Sequence, residues 1–277
     1  MKQYGLLGYP LGHTMSPPIH KRLFMLGGIA ESEYEYSLKE IPTEELGKRI
    51  GEVKALDGAN VTIPYKGEII PYIDELAPSA ERYTSVNCIV NENGRYIGYN
   101  TDCDGFLRSL AAAGGSLSGK VLQCGCGGVG RMMAIEAVRA GADLTLSLLP
   151  GFEDTAQPVR DYAEKNGIDA KITVVHPDEI KGSFDTLVNA SPVGMFPKVD
   201  ACPVTDEVIK QCGFVFDVVY NPKKTRLLTS AEKAGIPNVG GMAMLVWQAV
   251  VAQELWYGAE FKENDIDQLI SDMSAML

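Results

Sequence analysis

The chain has 277 residues, of which 45% are hydrophobic and 22% are charged; these are ordinary proportions for a globular protein, and the length suggests two domains. It carries 25 Lys and Arg against 36 Asp and Glu, and the formal net charge of −11 excludes a general attraction to nucleic acid or anionic membranes. The N-terminal residues lack a signal-peptide pattern, and no apolar stretch is long enough to span a bilayer. We therefore expect a cytoplasmic protein that binds neither nucleic acid nor membrane.

Short apolar segments typical of β-strands alternate along the chain with longer segments of helical pattern. Strands are predicted at residues 4–8, 59–63, 86–90, 96–99, 120–124, 144–149, 173–175, 186–189 and 215–220. Helices are predicted at residues 18–26, 101–113, 131–140 and 155–166, and over most of the last forty residues. The segment Asn91-Glu-Asn-Gly94 predicts a hairpin turn. This alternation indicates an α/β fold with a doubly wound parallel sheet.

Two glycine-containing breaks in the pattern suggest domain boundaries. The first lies at residues 113–118, after a predicted helix, and the second lies near residues 237–241. We expect residues 106–240 to form one domain. Residues 1–105 and 241–277 would then form a second, discontinuous domain.

A glycine-rich loop follows the predicted strand at residues 120–124 and precedes a predicted helix. Its residues have the G-x-G-x-x-G spacing of dinucleotide-binding loops; they are Gly125, Cys126, Gly127, Gly128, Val129 and Gly130. The first glycine allows a tight turn, the second lets the backbone approach a pyrophosphate, and the third allows close helix packing. The helix N-terminus supplies amide donors. The loop is predicted to bind a dinucleotide; the alternative is a glycine-rich turn that binds nothing.

The end of the next predicted strand normally decides between NAD and NADP. Here that segment is Ser147-Leu-Leu-Pro-Gly151, which offers no acid for a ribose 2′-OH and no arginine for a 2′-phosphate. Glu153 and Asp154 follow, and they could reach the ribose only if the loop folds back.

The six cysteines are scattered, and only Cys124 and Cys126 are close in sequence. A C-x-C pair supplies too few ligands for a tetrahedral zinc site. We interpret the thiols as structural or incidental, and no metal is predicted.

Polar side chains follow several of the apolar segments, at the strand ends where α/β folds form ligand crevices. Thr14, Ser16, Thr62 and Asn87 provide three hydroxyls and an amide in such positions. These groups are suited to a small polyhydroxylated or carboxylated molecule.

Six ordered motifs accompany the glycine-rich loop. They are H-S-x-S-P-x-x-H at His13–His20, N-V-T-x-P-x-K at Asn60–Lys66, G-x-N-T-D-x-x-G at Gly98–Gly105, N-A-[ST]-P-x-G-M at Asn189–Met195, D-x-V-Y-x-P-x-x-T-x-L-L at Asp217–Leu228 and M-L-x-x-Q-A at Met244–Ala249. With them the sequence resembles the shikimate and quinate/shikimate dehydrogenase family over essentially its whole length.

The resemblance implies an N-terminal α/β substrate domain, an inserted Rossmann-like cofactor domain, and C-terminal helices that return to the first domain. It implies that Thr14 and Ser16 bind the substrate carboxylate. The ring hydroxyls or carbonyl would be held by Thr62, Lys66, Asn87, Asp102 and Gln248, with Tyr220 nearby. The nicotinamide side would be approached by Asn189 and its segment to Met195, by Val218 and by Gly241.

The resemblance also implies that Lys66 and Asp102 are the catalytic pair. Hydride reduction of a ketone builds negative charge on the carbonyl oxygen, so an acid must lie there and deliver a proton. A free lysine ammonium holds its proton too tightly for an ideal acid at neutral pH, and we assign the two residues jointly. Taken alone, Lys66 could be a solvated surface residue and Asp102 a helix cap.

The sequence departs from the family pattern at two places. Thr14 replaces the usual first serine, which keeps the hydroxyl but adds a methyl group. Leu148-Leu149-Pro150 occupies the place of the N-R-T motif of NADP-dependent members. Losing that arginine removes a contact worth roughly 1.5–3 kcal/mol, or about 10- to 150-fold in affinity. The cofactor is therefore NAD or NADP, with NAD favoured.

We expect an oxidoreductase that transfers a hydride between NAD(P) and C3 of shikimate/3-dehydroshikimate, and of quinate/3-dehydroquinate as an open alternative, in the aromatic amino-acid precursor pathway. The second hypothesis is a family member that binds ligand but acts as a sensor or on an unusual substrate. The partner is a small molecule, and the protein is expected to be a monomer or homodimer.

Other aromatic and histidine residues are interpreted as structural. His13 and His20 are expected to pack or hydrogen-bond, and His176 to lie at the surface. Trp247 and Trp256 are expected in the core of the C-terminal helices.

Overall fold

The structure is a computed structural model that describes residues 1–12 and 14–277. The prediction for His13 lies outside the described residues. The described part of the first motif begins at Thr14.

Twelve β-strands are described. They are β1 (Lys2–Gly8), β2 (Tyr34–Glu40), β3 (Gly58–Val61), β4 (Glu75–Leu76), β5 (Cys88–Glu92), β6 (Arg95–Tyr99), β7 (Lys120–Cys124), β8 (Asp143–Ser147), β9 (Lys171–Val175), β10 (Phe184–Asn189), β11 (Cys212–Asp217) and β12 (Asn238–Gly240).

Eleven α-helices are described alongside the strands. They are α1 (Ser16–Leu26), α2 (Leu46–Lys54), α3 (Tyr65–Glu68), α4 (Pro78–Tyr83), α5 (Thr101–Ala112), α6 (Gly128–Arg139), α7 (Gln157–Lys165), α8 (Asp206–Ile209), α9 (Arg226–Lys233), α10 (Gly241–Tyr257) and α11 (Glu263–Ser274).

The chain divides into two compact units. The first comprises Met1–Gly105 and Leu245–Met273, and the second comprises Phe106–Met244 and Ser274–Leu277. The transitions between the units fall inside α5 and α10 and at the end of α11.

The sheet of the first unit is mixed, with the strand order β2-β1-β3-β5-β6-β4. β1 pairs in parallel with β2 and β3, whereas β3–β5 and β5–β6 are antiparallel. The predicted hairpin turn is confirmed between β5 and β6, where Asn93 and Gly94 have φ of 55° and 92°. The sheet of this unit is therefore mixed rather than wholly parallel, because a tight two-residue turn can join only antiparallel strands.

The sheet of the second unit is wholly parallel, with the order β12-β11-β10-β7-β8-β9. This is the doubly wound Rossmann order: β8 and β9 are added on one side of β7, and β10, β11 and β12 on the other side. The switch point lies between β7 and β10. The central strands are buried along nearly their whole length, as expected for strands that are covered on both faces. The α/β class with a Rossmann-like second unit is thus confirmed.

Two of the predicted strands end earlier than expected. β11 stops at Asp217 rather than at residue 220, because the Val219 N–H donates to the Asp217 carboxylate (3.0 Å) instead of continuing the sheet. β8 stops at Ser147 because the chain turns at Leu149, whose carbonyl accepts from the Phe152 N–H (3.0 Å). After each of these strand ends the chain leaves the sheet near the predicted cofactor loop.

Each unit has its own apolar core. The first packs around side chains such as Leu7, Tyr65 and Ile69, and the second around Leu122, Leu187 and Val215, all fully buried. No helix in the described part of the chain is long and apolar enough to cross a membrane. Among the residues described, no group of three or more His, Cys, Asp or Glu side chains could hold a metal ion.

Candidate active site

Lys66 is carried by α3, a short helix that a buried tyrosine anchors. The Tyr65 side chain is fully buried, and its hydroxyl donates to the Ile41 carbonyl. Thr62 precedes the helix; its N–H donates to the Leu7 carbonyl (2.8 Å), and its carbonyl accepts from the Tyr65 N–H (2.9 Å). Thr62 is thereby held beside the carboxyl end of β1.

Lys66 and Asp102 form a close ion pair. Lys66 Nζ lies 2.5 Å from Asp102 Oδ2, and the two side chains are only 25% and 15% exposed. Asp102 lies in the first turn of α5, where the helix dipole favours a carboxylate. A charge-assisted hydrogen bond of this kind fixes the direction of both groups. The lysine is therefore not a freely solvated surface residue.

Asn87 joins the segments that carry the polar side chains. Its Oδ1 accepts from the Thr101 N–H (2.6 Å), and its Nδ2 donates to Thr101 Oγ1 (3.1 Å), immediately before Asp102. Its carbonyl accepts from the Val61 N–H (2.8 Å), and the neighbouring Val86 N–H donates to the Lys66 carbonyl (2.7 Å). The ends of β3, α3 and α5 consequently meet at this asparagine.

Thr14 and Ser16 lie at the start of α1. The Ser16 N–H donates to Thr14 Oγ1 (3.3 Å), and the Ser16 side chain hydrogen-bonds the Tyr36 hydroxyl. Tyr36 in turn donates to Asn60 Oδ1 (2.8 Å). Burial raises the pKa of Tyr36 well above its usual value, so the phenol stays protonated. Ser16 is thus connected to the β3 segment that leads to Thr62.

Gln248 lies on α10 in the first unit and is 8% exposed. Its Nε2 donates to the Leu245 carbonyl (2.8 Å). Its Oε1 accepts no hydrogen bond from the described residues. That oxygen is therefore the part of the side chain that can receive a ligand hydroxyl.

The glycine-rich loop of the second unit has the geometry that a dinucleotide requires. Gly125 has a φ of 86°, and a Cβ there would lie 3.0 Å from the Ser191 Cβ. A Cβ on Gly130 would lie 2.9 Å from the Gly125 carbonyl oxygen. A Cβ on Gly127 or Gly128 would meet nothing within 4 Å, so this face of the loop is open at the start of α6. Two glycines serve the turn and the packing, and two leave space for a phosphate.

A cavity of about 460 Å³ lies beside this loop and is walled mainly by apolar side chains. Leu148, Leu149 and Phe152 from the β8 end line it, with Pro177 and Val193 opposite. No lysine or arginine is among its described lining residues. The cavity accommodates an uncharged flat group such as a nucleoside base.

Glu153 and His176 lie next to this cavity but are bound to each other. His176 Nε2 is 2.9 Å from Glu153 Oε1, and Glu153 Oε2 accepts from the Gly151 N–H (2.8 Å). The hydrogen bond to Glu153 raises the pKa of His176. The loop thus folds back on itself, and it ties the carboxylate to the protein.

A buried network orders the predicted nicotinamide side. Asp217 is fully buried and accepts from Thr225 Oγ1 (2.6 Å), Asn189 Nδ2 (2.9 Å) and the Val219 N–H. Asn189 Oδ1 accepts from the Ser191 N–H and hydroxyl (3.2 and 2.7 Å). The Asn189 amide is thereby occupied within the protein, and any role in cofactor binding would fall to the backbone and loop that it orders.

Val218 and Gly241 meet closely. A Cβ on Gly241 would lie 2.0 Å from the Val218 carbonyl oxygen, so only glycine fits there. Tyr220 follows in the same segment of the second unit and is half-buried.

The structure brings Thr62, Lys66, Asn87 and Asp102 together in the first unit, and Gln248 belongs to the same unit. The glycine-rich loop, Asn189, Val218 and Gly241 belong to the second unit, as does Tyr220. Asp217 and Tyr36 were missed as ordering residues. Asp217 stands first in a matched motif, but its partner Asn189 is 28 residues away, and no spacing indicates the contact.

Comparisons with known proteins agree with this architecture. The profile of the shikimate dehydrogenase substrate binding domain matches residues 6–89. A shikimate dehydrogenase (NADP(+)) of Carboxydothermus hydrogenoformans is 35% identical over 261 residues, covering 93% of this chain and 92% of that protein.

Two solved structures are similar over nearly the whole chain. The shikimate 5-dehydrogenase of Listeria monocytogenes, in complex with shikimate and NAD, has a TM-score of 0.86 at 29% identity, covering 98% of this chain and 96% of that one. The shikimate 5-dehydrogenase of Thermus thermophilus, in complex with NADP(H) and shikimate, has a TM-score of 0.83 at 31% identity, covering 99% and 100%. The fold, the ordered motifs and these similarities agree: the chain belongs to the shikimate dehydrogenase family.

Proposed function

We propose that this chain catalyses the reversible, nicotinamide-linked interconversion of 3-dehydroshikimate and shikimate. The ion pair between Lys66 Nζ and Asp102 Oδ2, only partly exposed and surrounded by hydroxyl and amide groups, is the observation that carries the proposal. Neutral hydrogen-bonding groups suit the hydroxyls of a polyhydroxylated substrate. Reduction of its ketone also needs a proton donor, which the Lys66–Asp102 pair provides.

The reduced cofactor, when bound, supplies the hydride that goes to the carbonyl carbon. Lys66 and Asp102 jointly hold the proton that goes to the carbonyl oxygen, and in the reverse direction they take it back. Asp102 fixes the direction of the ammonium group, which also stabilises the negative charge developing on that oxygen. Thr14 and Ser16 would bind the carboxylate, while Thr62, Asn87 and Gln248 would bind the ring hydroxyls.

We assign substrate binding to the first unit and dinucleotide binding to the second. The open face at Gly127 and Gly128 supports the second assignment, because backbone N–H groups there can meet a pyrophosphate. We place Val218 and Gly241 at the nicotinamide side and Tyr220 near the substrate ring.

We further propose that NAD is preferred to NADP. The relative from Carboxydothermus hydrogenoformans is a shikimate dehydrogenase (NADP(+)). The preference proposed for this chain differs from that, because it rests on the residues that line this chain's own cavity. The lining offers Leu148 and Leu149 where a 2′-phosphate would need a cation, and Glu153, which follows in the same loop, is hydrogen-bonded to His176. The monomeric or dimeric state and the cytoplasmic location stay predictions.

The test is a steady-state assay of shikimate and quinate, each with NAD and NADP. Turnover with shikimate is expected, and Lys66→Ala and Asp102→Asn should each lower kcat by about 10²- to 10⁴-fold, the usual contribution of acid–base catalysis. Lys48→Ala, on the exposed face of α2, is the matched control and should leave kcat unchanged.

If either Lys66→Ala or Asp102→Asn keeps the kcat of the unmodified chain, the assignment of Lys66 and Asp102 as the catalytic pair is wrong. Absence of activity in all four combinations would favour the sensor or unusual-substrate hypothesis.

A further inference from the structure

A second cavity, of about 620 Å³, lies in the first unit at the amino ends of its parallel strands. Tyr4 enters it near the start of β1, Tyr34 begins β2, and Asp57 precedes β3. Thr62 and Lys66 instead follow the carboxyl end of β3. The amino-end cavity is therefore separate from the proposed substrate site.

Five of the eleven residues that line the cavity are aromatic, and four of these side chains hold one another in place. The Tyr4 and Trp256 rings stack with centroids 4.7 Å apart, and those of Phe24 and Tyr34 with centroids 3.8 Å apart. Trp256 Nε1 donates to the Ile89 carbonyl (3.0 Å), which fixes the indole. The wall is thus formed before any ligand arrives, which lowers the entropic cost of binding.

The room for that indole is made by a glycine in β3. A Cβ on Gly58 would lie only 2.4 Å from Trp256 Nε1. The sequence expectation that Trp256 is a core residue is corrected here: the side chain is half-buried and lines the cavity.

Two phenol groups of the wall lack partners. Tyr4 is 4% exposed, yet its hydroxyl makes no hydrogen bond with the described residues, and the same holds for the Tyr34 hydroxyl. Burial, and secondarily the charge of Asp57, raise the pKa of Tyr4 to about 12, so its phenol remains a neutral donor. Both hydroxyls line the open cavity, so each can donate to an acceptor on a ligand in place of water.

The cavity lining carries one positive side chain, Lys2, and two negative ones, Glu33 and Asp57. Lys2 Nζ pairs with Asp57 Oδ1 at 2.7 Å, and Glu33 Oε2 accepts from the Ala30 N–H at 2.8 Å. An anionic ligand therefore meets no unpaired cation among these side chains.

We infer that the amino-end cavity is a second ligand site, for a small planar aromatic molecule that carries a polar group and no negative charge. The aromatic wall accepts such a ring by offset or edge-to-face packing, and the Tyr4 hydroxyl receives its polar group. The volume lies within the usual range for small-molecule sites. The inference does not depend on the proposed function.

Two indole N–H signals provide the readout, because the chain has only two tryptophans. Phenol and indole are titrated separately into the ¹⁵N-labelled full chain with saturating shikimate present, and Trp247→Phe assigns the two signals. We expect the Trp256 signal to shift and saturate while the Trp247 signal stays. Cyclohexanol, which has a hydroxyl but no planar ring, should produce no saturable shift.

Two variants test the wall itself. Tyr4→Phe removes only the unpartnered hydroxyl, and it should weaken phenol binding by about 2- to 12-fold, the usual value of one hydrogen bond. Tyr34→Ile removes an aromatic wall and should weaken both probes, and turnover of shikimate should be unchanged in both variants. Tyr162→Phe, on α7 of the second unit, is the matched control and should bind as the unmodified chain does.

Each of the following results would overturn the inference: a Trp256 signal that does not shift with either probe, an equal response to cyclohexanol, or affinity unchanged by both Tyr4→Phe and Tyr34→Ile. Displacement of the probes by shikimate would show that they occupy the substrate site, and it too would overturn the inference.

Discussion

Leu149 is the residue through which cofactor choice can be tested directly. It is 60% exposed and lines the second-unit cavity at the end of β8. A cation at this position could meet a 2′-phosphate without displacing the core. A substitution at Leu149 can therefore change the affinity for each cofactor without changing the stability of the fold.

The variant Leu149→Arg is expected to lower the KM for NADP by about 10- to 150-fold, because it adds one charge-assisted contact. Leu149→Gln has a similar length without the charge and should leave the ratio of the two KM values near that of the unmodified chain. Steady-state kinetics with both cofactors measures the ratio. An unmodified chain that already prefers NADP would contradict the proposed preference.

His20 is a buried imidazole kept neutral by its surroundings. It is fully buried, it stacks on Tyr36 (4.6 Å) and Trp256 (5.1 Å), and its Nδ1 lies 3.1 Å from Gln253 Nε2. Burial lowers the pKa of His20 to about 3. The sequence interpretation of this residue as a packing and hydrogen-bonding group agrees with these contacts.

The lowered pKa of His20 gives the free energy of unfolding a defined pH dependence. Below pH 6.5 the unfolded chain takes up a proton on this histidine and the folded chain does not. The free energy of unfolding therefore decreases as the pH is lowered from 6.5 to about 3. The expected loss is roughly 1.4 kcal/mol per pH unit. Urea unfolding between pH 7.5 and 5 measures it, and His20→Phe, which keeps an aromatic ring, should flatten the curve.

His176→Gln is the matched control for that experiment. The pKa of His176 is raised by its hydrogen bond to Glu153, so its contribution is present below the unfolded pKa and is lost as pH rises through the folded value. Its removal should therefore not flatten the acid-side loss. An unchanged slope in His20→Phe would contradict the assignment to His20.

At the scale of elements, the ends of β10 and β11 are joined by one carboxylate. Asp217 accepts from Asn189, Val219 and Thr225, the last of which caps α9. The strand ends, the helix start and the two loops after them therefore depend on a single buried group.

Asp217→Ala would remove the acceptor of the Val219 N–H, of the Thr225 hydroxyl and of one Asn189 N–H, at about 1–3 kcal/mol for a group left unpaired, while the bond from Asn189 Nδ2 to the Val193 carbonyl (3.1 Å) remains. We expect a loss of about 2–4 kcal/mol in unfolding free energy, and a higher KM for the cofactor. The affinity for shikimate should be unchanged.

Asp217→Asn, whose oxygen can still accept from Asn189 and Val219, should lose much less than Asp217→Ala. Chemical unfolding and a shikimate titration distinguish these outcomes. Equal weakening of shikimate and cofactor binding would argue against a local positioning role.

Much of the second unit could be predicted because its strands are short apolar runs between helical segments. β2 was missed because Tyr34–Glu40 is interleaved with charged residues, and this strand lies at the sheet edge. The pair Lys66 and Asp102 is 36 residues apart, and its contact depends on hydrogen bonds of Asn87 and Thr101 that no spacing reveals. Only the resemblance to a family pointed to it.

At the scale of the molecule, shikimate and the nicotinamide cofactor are assigned to different units. Binding stabilises the amides that a ligand contacts and those that must open to release it. The two ligands should therefore protect different parts of the chain from exchange with solvent.

Hydrogen–deuterium exchange is expected to show shikimate protecting residues 60–66 and the start of α5, and NAD protecting residues 125–131. A Lys66→Ala chain should lose the first pattern and keep the second. Protection of the glycine-rich loop by shikimate alone would contradict the assignment of ligands to units.

The distribution of thiols has a practical consequence. Five of the six cysteines are buried and only Cys202 is half-buried, so a thiol-specific label will attach there first. Burial raises the pKa of Cys124, Cys126 and Cys212, and that of Cys202 as well, so it is the greater exposure of Cys202 that selects it for labelling. Cys202 adjoins Pro203 in the wall of the second-unit cavity. A fluorophore placed on the unmodified chain would therefore sit where it can report cofactor occupancy in real time, with no engineered cysteine.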